Sequence, residues 1–190
     1  ESSESEDQSN ETVALTFKMS SLVTQPKVGL PNVLVHLWNK KYGTKVTLNA
    51  LLDACSTTSF LSERAAKQLK LEGPPCTQKI TGALNMVAHV KGFASSVTLM
   101  SFDRKVSQKV RVKVFGEAVP DLHVTDWNAQ KKNHLHLREL DFAPVNANQP
   151  VELLLGAEDI HLFRSLGVDA SGRAGEPIAR LTPLGLVGIG

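Results

Sequence analysis

The residue with the clearest chemistry in this chain is Asp53. It ends the apolar run Val46-Thr47-Leu48-Asn49-Ala50-Leu51-Leu52 and is followed by Ala54, Cys55, Ser56, Thr57, Thr58 and Ser59. Aspartate is poor in strands and costly to bury alone, so a carboxylate closing Ala-Leu-Leu needs hydrogen-bond donors or a partner that shares its charge. The hydroxyls that follow can supply donors. Two readings stay open from these residues alone: a side chain that caps a strand-to-helix turn, or a carboxylate held for acid-base work. Cys55 is a second candidate, as a nucleophile, but none of His36, His89, His123, His134, His136 or His161 lies beside it in sequence to act as its base. His134 and His136 have the alternating spacing that puts two rings on one strand face, yet no third ligand stands in register, and no metal is expected.

The elements that must position Asp53 are short and β-like. Strand patterns cover Val13–Met19, Val33–Trp38, Lys45–Leu52, Val87–Met100, Lys109–Phe115 and Val151–Leu155, parted by turn residues such as Lys40-Lys41-Tyr42-Gly43 and Phe102-Asp103-Arg104. Two helices interrupt them. One spans Ser62–Leu69, with Leu61, Ala65, Ala66 and Leu69 on one face and Ser59 as expected N-cap; a shorter one spans Glu158–Leu166. Trp38 and Trp127 read as core or interface anchors. Residues 122–150 read as an insertion between strands, and no internal repeat is visible.

Composition limits the function classes. A chain of 190 residues with 42% hydrophobic content fits one domain, here 13–190, preceded by the acidic flexible linker 1–12, which lacks large apolar side chains. No run of eighteen apolar residues appears and the first residues are acidic, so the expectation is a soluble, membrane-free protein or a piece of a longer one. Cys55 and Cys76 show no Cys-x-x-Cys spacing, which favours a reducing, intracellular setting, cytoplasmic or within a capsid-like particle. Outside the linker, 21 bases face 14 acids, but they are scattered along the chain and argue against nucleic acid as a partner.

A second apolar run, Val151-Glu152-Leu153-Leu154-Leu155-Gly156-Ala157-Glu158-Asp159, completes an ordered set. Strand, aspartate turn, long β segment, apolar-apolar-Gly strand and short helix resemble the retropepsin plan. Lys79-Ile80-Thr81-Gly82-Ala83-Leu84-Asn85-Met86 falls where a flap belongs, although Thr81-Gly82 alone also suits an ordinary hairpin turn. Pro177–Gly188, with its Thr182-Pro183-Leu184-Gly185, resembles a characteristic terminal segment. Over residues 28–190 the set is similar to the peptidase domain of Bel/Pao-type retrotransposon polyproteins.

The resemblance implies a mostly β acid-protease barrel with a flap hairpin and one or two short helices, assembling as a C2 homodimer without cofactor. It implies an aspartic endopeptidase acting on an extended peptide, a polyprotein junction above all. Asp53 would activate water, Ser56 would bond its outer oxygen, and the backbone of Cys55–Thr57 would line the cleft. Thr81, Gly82, Ala83, Leu84 and Asn85 would belong to the flap, and Leu154, Leu155 and Gly156 to the second apolar strand. Glu158 and Asp159 do not end an apolar strand, so the second catalytic aspartate would come from another copy. The triplet departs from Asp-Ser/Thr-Gly: Ala54 has no hydroxyl to brace a dimer, and Cys55 adds a side chain where glycine lets a substrate approach. The competing readings are a domesticated, proteolytically weak or inactive dimerisation module and, on charge alone, a basic nucleic-acid-binding β domain.

Overall fold

A computed structural model describes residues 28–81, 87–118, 122–167 and 169–190. Its strands are β1 (Asn32–Asn39), β2 (Thr44–Leu52), β3 (Phe60–Ser62), β4 (Pro75–Thr81), β5 (Val87–Ser101), β6 (Ser107–Phe115), β7 (Val151–Leu155), β8 (Asp169–Ser171), β9 (Ile178–Thr182) and β10 (Gly185–Ile189). The helices are short: α1 (Glu63–Gln68), α2 (Trp127–Gln130) and three 3-10 turns. The expected mostly β class holds. The strand runs expected within residues 28–190 fall on β1, β2, β5, β6 and β7, whereas Val13–Met19 lies outside the described residues.

Six strands close a barrel in the order β1-β2-β7-β3-β6-β5, with β5 returning to β1 through Val35↔Ser101 to Trp38↔Thr98. Closure removes the unpaired edges that an open sheet of this size would carry. Alternation of side chains puts Val33, Val35 and Leu37 of β1, Leu48, Ala50 and Leu52 of β2, and Val110, Val112 and Val114 of β6 inside one core. Leu153 and Leu155 of β7 and Leu61 of β3 join them. β5 is long because it pairs in turn with two strands of the same sheet: Val87–Phe93 pairs with β4 as a ribbon, and Phe93–Met100 pairs with β6 in the barrel. β8, β9 and β10 form a separate three-stranded sheet, and Gly29 and Gly190 bond each other's backbones beside it.

Two helix expectations need correction. Ser59 is not the N-cap of α1; Ser62 is, its hydroxyl accepting from Ala65 N at 3.1 Å. Residues 60–62 are first used as a strand between β6 and β7, so the chain turns helical three residues later. The second helix is a 3-10 segment, Ala157–Leu162, broken at Asp159 and ended before Leu166. Asp159, at that break, accepts a hydrogen bond from the Ser59 hydroxyl.

Residues 122–150 build a small second core, in which Trp127, Leu137 and Phe142 pack with Ala179. The Trp127 ring lies so close to Gly188 of β10 that a Cβ there would approach it to 2.2 Å, so this strand needs glycine. Asn49, outward on β2 and buried, ties the end of the segment to the barrel: its amide donates to the carbonyls of Asn146 and Gln149, and its Oδ1 accepts from Asn146 N. His134 and His136 sit at a 3-10 turn rather than on a strand, with ring centroids 6.1 Å apart. His136 is committed to the carbonyl of Pro177 at 2.8 Å.

Replacing Asn49 with alanine removes its three hydrogen bonds to Asn146 and Gln149 from a fully buried position. The expected cost is about 1–3 kcal/mol, read as a lower denaturation midpoint in urea with an unchanged slope.

Candidate active site

β2 and β7 run parallel, register Leu52↔Leu155, and end together at the barrel mouth. Asp53 therefore arises at the level of Gly156, and Asp53 N continues the ladder by donating to Leu155 O at 2.9 Å. The chain then loops through Ala54–Thr58 and returns as β3 on the other side of β7. β7 is thus clasped between the strand that enters the aspartate turn and the strand that leaves it. The expected grouping of Asp53, Ala54, Cys55, Ser56 and Thr57 with Leu154, Leu155 and Gly156 is what this topology brings together.

The two turns lock through backbone contact. A Cβ on Gly156 would lie 2.6 Å from the carbonyl of Thr58, so only glycine lets them pass this closely. Ala157 N donates to Ser56 O at 2.7 Å. Ser59, fully buried, stands at the crossing: its hydroxyl donates to Asp159 Oδ2 at 2.6 Å and accepts from Gly156 N at 3.0 Å, while Ser59 N donates to Glu158 Oε1 at 2.9 Å. Glu158 also reaches Arg111 at 3.5 Å. These three residues carry the clasp, although the sequence suggested Ser59 only as a helix cap and gave the two acids no role at the site. The available signal was a hydroxyl before an apolar pair, and two acids directly after the glycine.

The Asp53 side chain is half-buried, and its Oδ1 accepts from Cys55 N at 2.9 Å. That is the turn-forming bond expected of an aspartate two residues before a backbone N–H. Among the described residues Oδ2 has no donor, so the turn uses one oxygen and leaves the other open to water. Ser56 does not bond the outer oxygen of Asp53, as the resemblance implied; its hydroxyl donates to Thr58 O at 2.8 Å and stiffens the loop instead. Ala54, Cys55 and Thr57 are exposed. Cys55 carries a free thiol.

The other carboxylates nearby are taken. Glu152 accepts from the Ser62 hydroxyl at 2.9 Å and from Arg64 Nε at 2.7 Å, and Asp159 and Glu158 serve Ser59. Thr81 closes β4 opposite Val87 of β5, which makes residues 82–86 the connection of this ribbon. Gly82, Ala83, Leu84 and Asn85 lie outside the described residues. Ile80 and Val87, at the ribbon's end, are 39% and 47% exposed.

Ser59→Ala removes the donor of a buried carboxylate and the acceptor of Gly156 N, for an expected loss of about 1–3 kcal/mol. Gly156→Ala forces the two turns apart and is expected to cost more, with both ranked by thermal denaturation.

No protein-family model matches this chain, and no curated protein matches it. Among solved structures it is similar to the EIAV protease complexed with the inhibitor HBY-793, at 24% sequence identity over 50% of this chain and 88% of that one, with a TM-score of 0.31.

Proposed function

We propose that this chain is a retropepsin-like aspartic endopeptidase of the Bel/Pao type, working as a homodimer in which each copy supplies Asp53. The observation that carries the reading is the placement of this carboxylate at the barrel mouth, with Oδ1 fixed by Cys55 N and Oδ2 free of protein donors among the described residues. Aspartic hydrolysis needs two carboxylates close enough to share one proton: the ionised one takes a proton from water while the protonated one gives its proton to the scissile carbonyl. Glu152, Glu158 and Asp159 are each held by other partners. A two-fold axis through the mouth brings Asp53 against Asp53.

The surface beside Ala54 supports self-association. A shallow groove is lined there by Leu52, Ala54, Ile160, Arg180 and Ile189, and Ile160 is 44% exposed. Apolar side chains gathered at one rim are what a second copy would cover. The β4–β5 ribbon supports an extended peptide substrate, since Ile80 and Val87 offer apolar contact and its backbone can accept an added strand. Polyprotein processing is the reading that the order of the segments supports, since that order resembles the one in the retrotransposon peptidases.

A second reading keeps the dimer and drops catalysis. It is favoured by Ala54, exposed and without a hydroxyl at the position next to the aspartate.

Cleavage of a mixed peptide library between about pH 4 and 7, where a shared-proton pair titrates, separates the two. The native chain is expected to cleave, with specific activity rising with protein concentration, and Asp53→Asn to lose on the order of 10³-fold in rate. Equal cleavage by both proteins rules out the aspartate mechanism. No cleavage by either, with a dimer in sedimentation, establishes the interaction module. Ile160→Arg is expected to shift the chain to monomer in sedimentation and to abolish cleavage with it.

A further inference from the structure

The bases scattered along the sequence are partly gathered by the barrel. Directly opposed residues of neighbouring antiparallel strands share a face. The ladder places Lys45 of β2 opposite Trp38 of β1, Trp38 opposite Thr98 of β5, and Thr98 opposite Lys109 of β6. This row points outward, since Leu37, Val97 and Val110, the neighbours of Trp38, Thr98 and Lys109 in sequence, are in the core. One outward position further along β6, Arg111 stands opposite Ser96. One outward position back along β1, His36 stacks on Phe102 with centroids 5.3 Å apart, and Phe102 is 43% exposed.

Two ammonium groups converge on one indole: Lys45 Nζ lies 4.7 Å and Lys40 Nζ 5.2 Å from the Trp38 ring centroid. Each is attracted by the ring, but the two repel one another. Beside them a groove of about 340 Å³ is lined by Trp38, Lys40, Lys41, Thr98, Ser107 and Lys109, with no carboxylate in its lining. The acids nearby are Glu72, 3.9 Å from Lys41, Glu158, 3.5 Å from Arg111, and Asp103, which follows Phe102 and is paired with Lys105 at 3.0 Å. Among the described residues no carboxylate lies within 4.0 Å of Lys40, Lys45 or Lys109. The Trp38 indole N–H is shut off from solvent and has no acceptor among them.

We infer that this face binds single-stranded nucleic acid. A solvated lysine face needs no aromatic rings, and a core tryptophan needs no converging cations. Together they form the two halves of single-strand recognition, in which lysines take the phosphates and ring faces stack on unpaired bases. An incoming phosphate relieves the repulsion between Lys40 and Lys45, and its oxygens offer the indole N–H an acceptor once the lysine stems move aside. The face is anchored rather than loose. Asn39 and Thr44, flanking the β1–β2 turn, donate to Leu69 O at 2.9 and 2.8 Å and so tie the turn to the end of α1. Lys45 precedes Asp53 by eight residues of strand, about 26 Å, so a bound strand leaves the Asp53 mouth open. The site therefore stands apart from peptide cleavage and would tether the protein to a polynucleotide.

The test is fluorescence anisotropy of a labelled single-stranded oligonucleotide of roughly 15 nucleotides, titrated with the full chain. Binding through three lysines is expected to weaken about 18-fold between 50 and 200 mM salt. The triple variant Lys40→Gln, Lys45→Gln, Lys109→Gln alters exposed positions only and is expected to bind at least about 10-fold more weakly at 50 mM salt. Trp38→Leu is expected to weaken binding about 10-fold, with circular dichroism reporting the fold. If Trp38→Leu misfolds, the lysine variant decides. Undiminished binding by the lysine variant overturns the inference. So does binding of heparin, phosphatidylserine vesicles or duplex DNA as tight as that of the single strand, which would mark a surface that reads charge alone.

Discussion

The structure depends on one close passage, the crossing of the Asp53 turn and the Gly156 turn at the end of the β2–β7 pair. β2 and β7 lie parallel although the chain reaches β7 only after β3, β4, β5 and β6. The chain leaves β2, loops past the end of β7, and returns antiparallel to it as β3 on β7's other flank. That path forces backbone against backbone, and at Gly156 there is no room for a side chain. What the crossing costs in polar burial is offset by Ser59, whose hydroxyl gives one hydrogen bond to Asp159 and accepts one from Gly156 N and whose N–H gives another to Glu158. The aspartate owes its fixed position to this clasp, because its own backbone is bonded to Leu155 and its loop to Ala157.

Closure of the barrel has consequences on both of its surfaces. Inside, it lets short strands share one core, so that β3, three residues long, is held by two neighbours and by Leu61. Outside, it brings β1 beside β5, although the two are far apart in the chain. The row Lys45, Trp38, Thr98, Lys109 exists only because of that pairing. The same closure therefore sets a carboxylate at one end of β2 and a lysine-flanked indole at the other.

Much of the fold was legible because its signals are local. Alternating apolar residues marked β1, β2, β5, β6 and β7, and Gly43 and Arg104 take the left-handed conformations that the expected turns require. The errors came where a tertiary neighbour outweighed local preference. Ser59 has the right chemistry for an N-cap, but its hydroxyl is worth more to a buried Asp159 than to a helix end already served by Ser62. Ser56 lies in a loop whose course points its hydroxyl at Thr58 O. His134 and His136 looked like strand neighbours, and the chain there turns into a 3-10 helix.

By itself the sequence determined the mostly β class and the candidate carboxylate Asp53, because burial periodicity and an acid after an apolar run are properties of neighbouring residues; the company of Gly156 and the Leu-Leu-Leu strand came from the resemblance of the ordered segments. Only the tertiary structure decided which hydroxyls and acids hold that carboxylate, and which bases stand together. Hydrogen-bond partners a hundred residues apart, as Ser59 and Asp159 are, and rows that cross four strands are set by register and closure, and neither leaves a trace in local spacing.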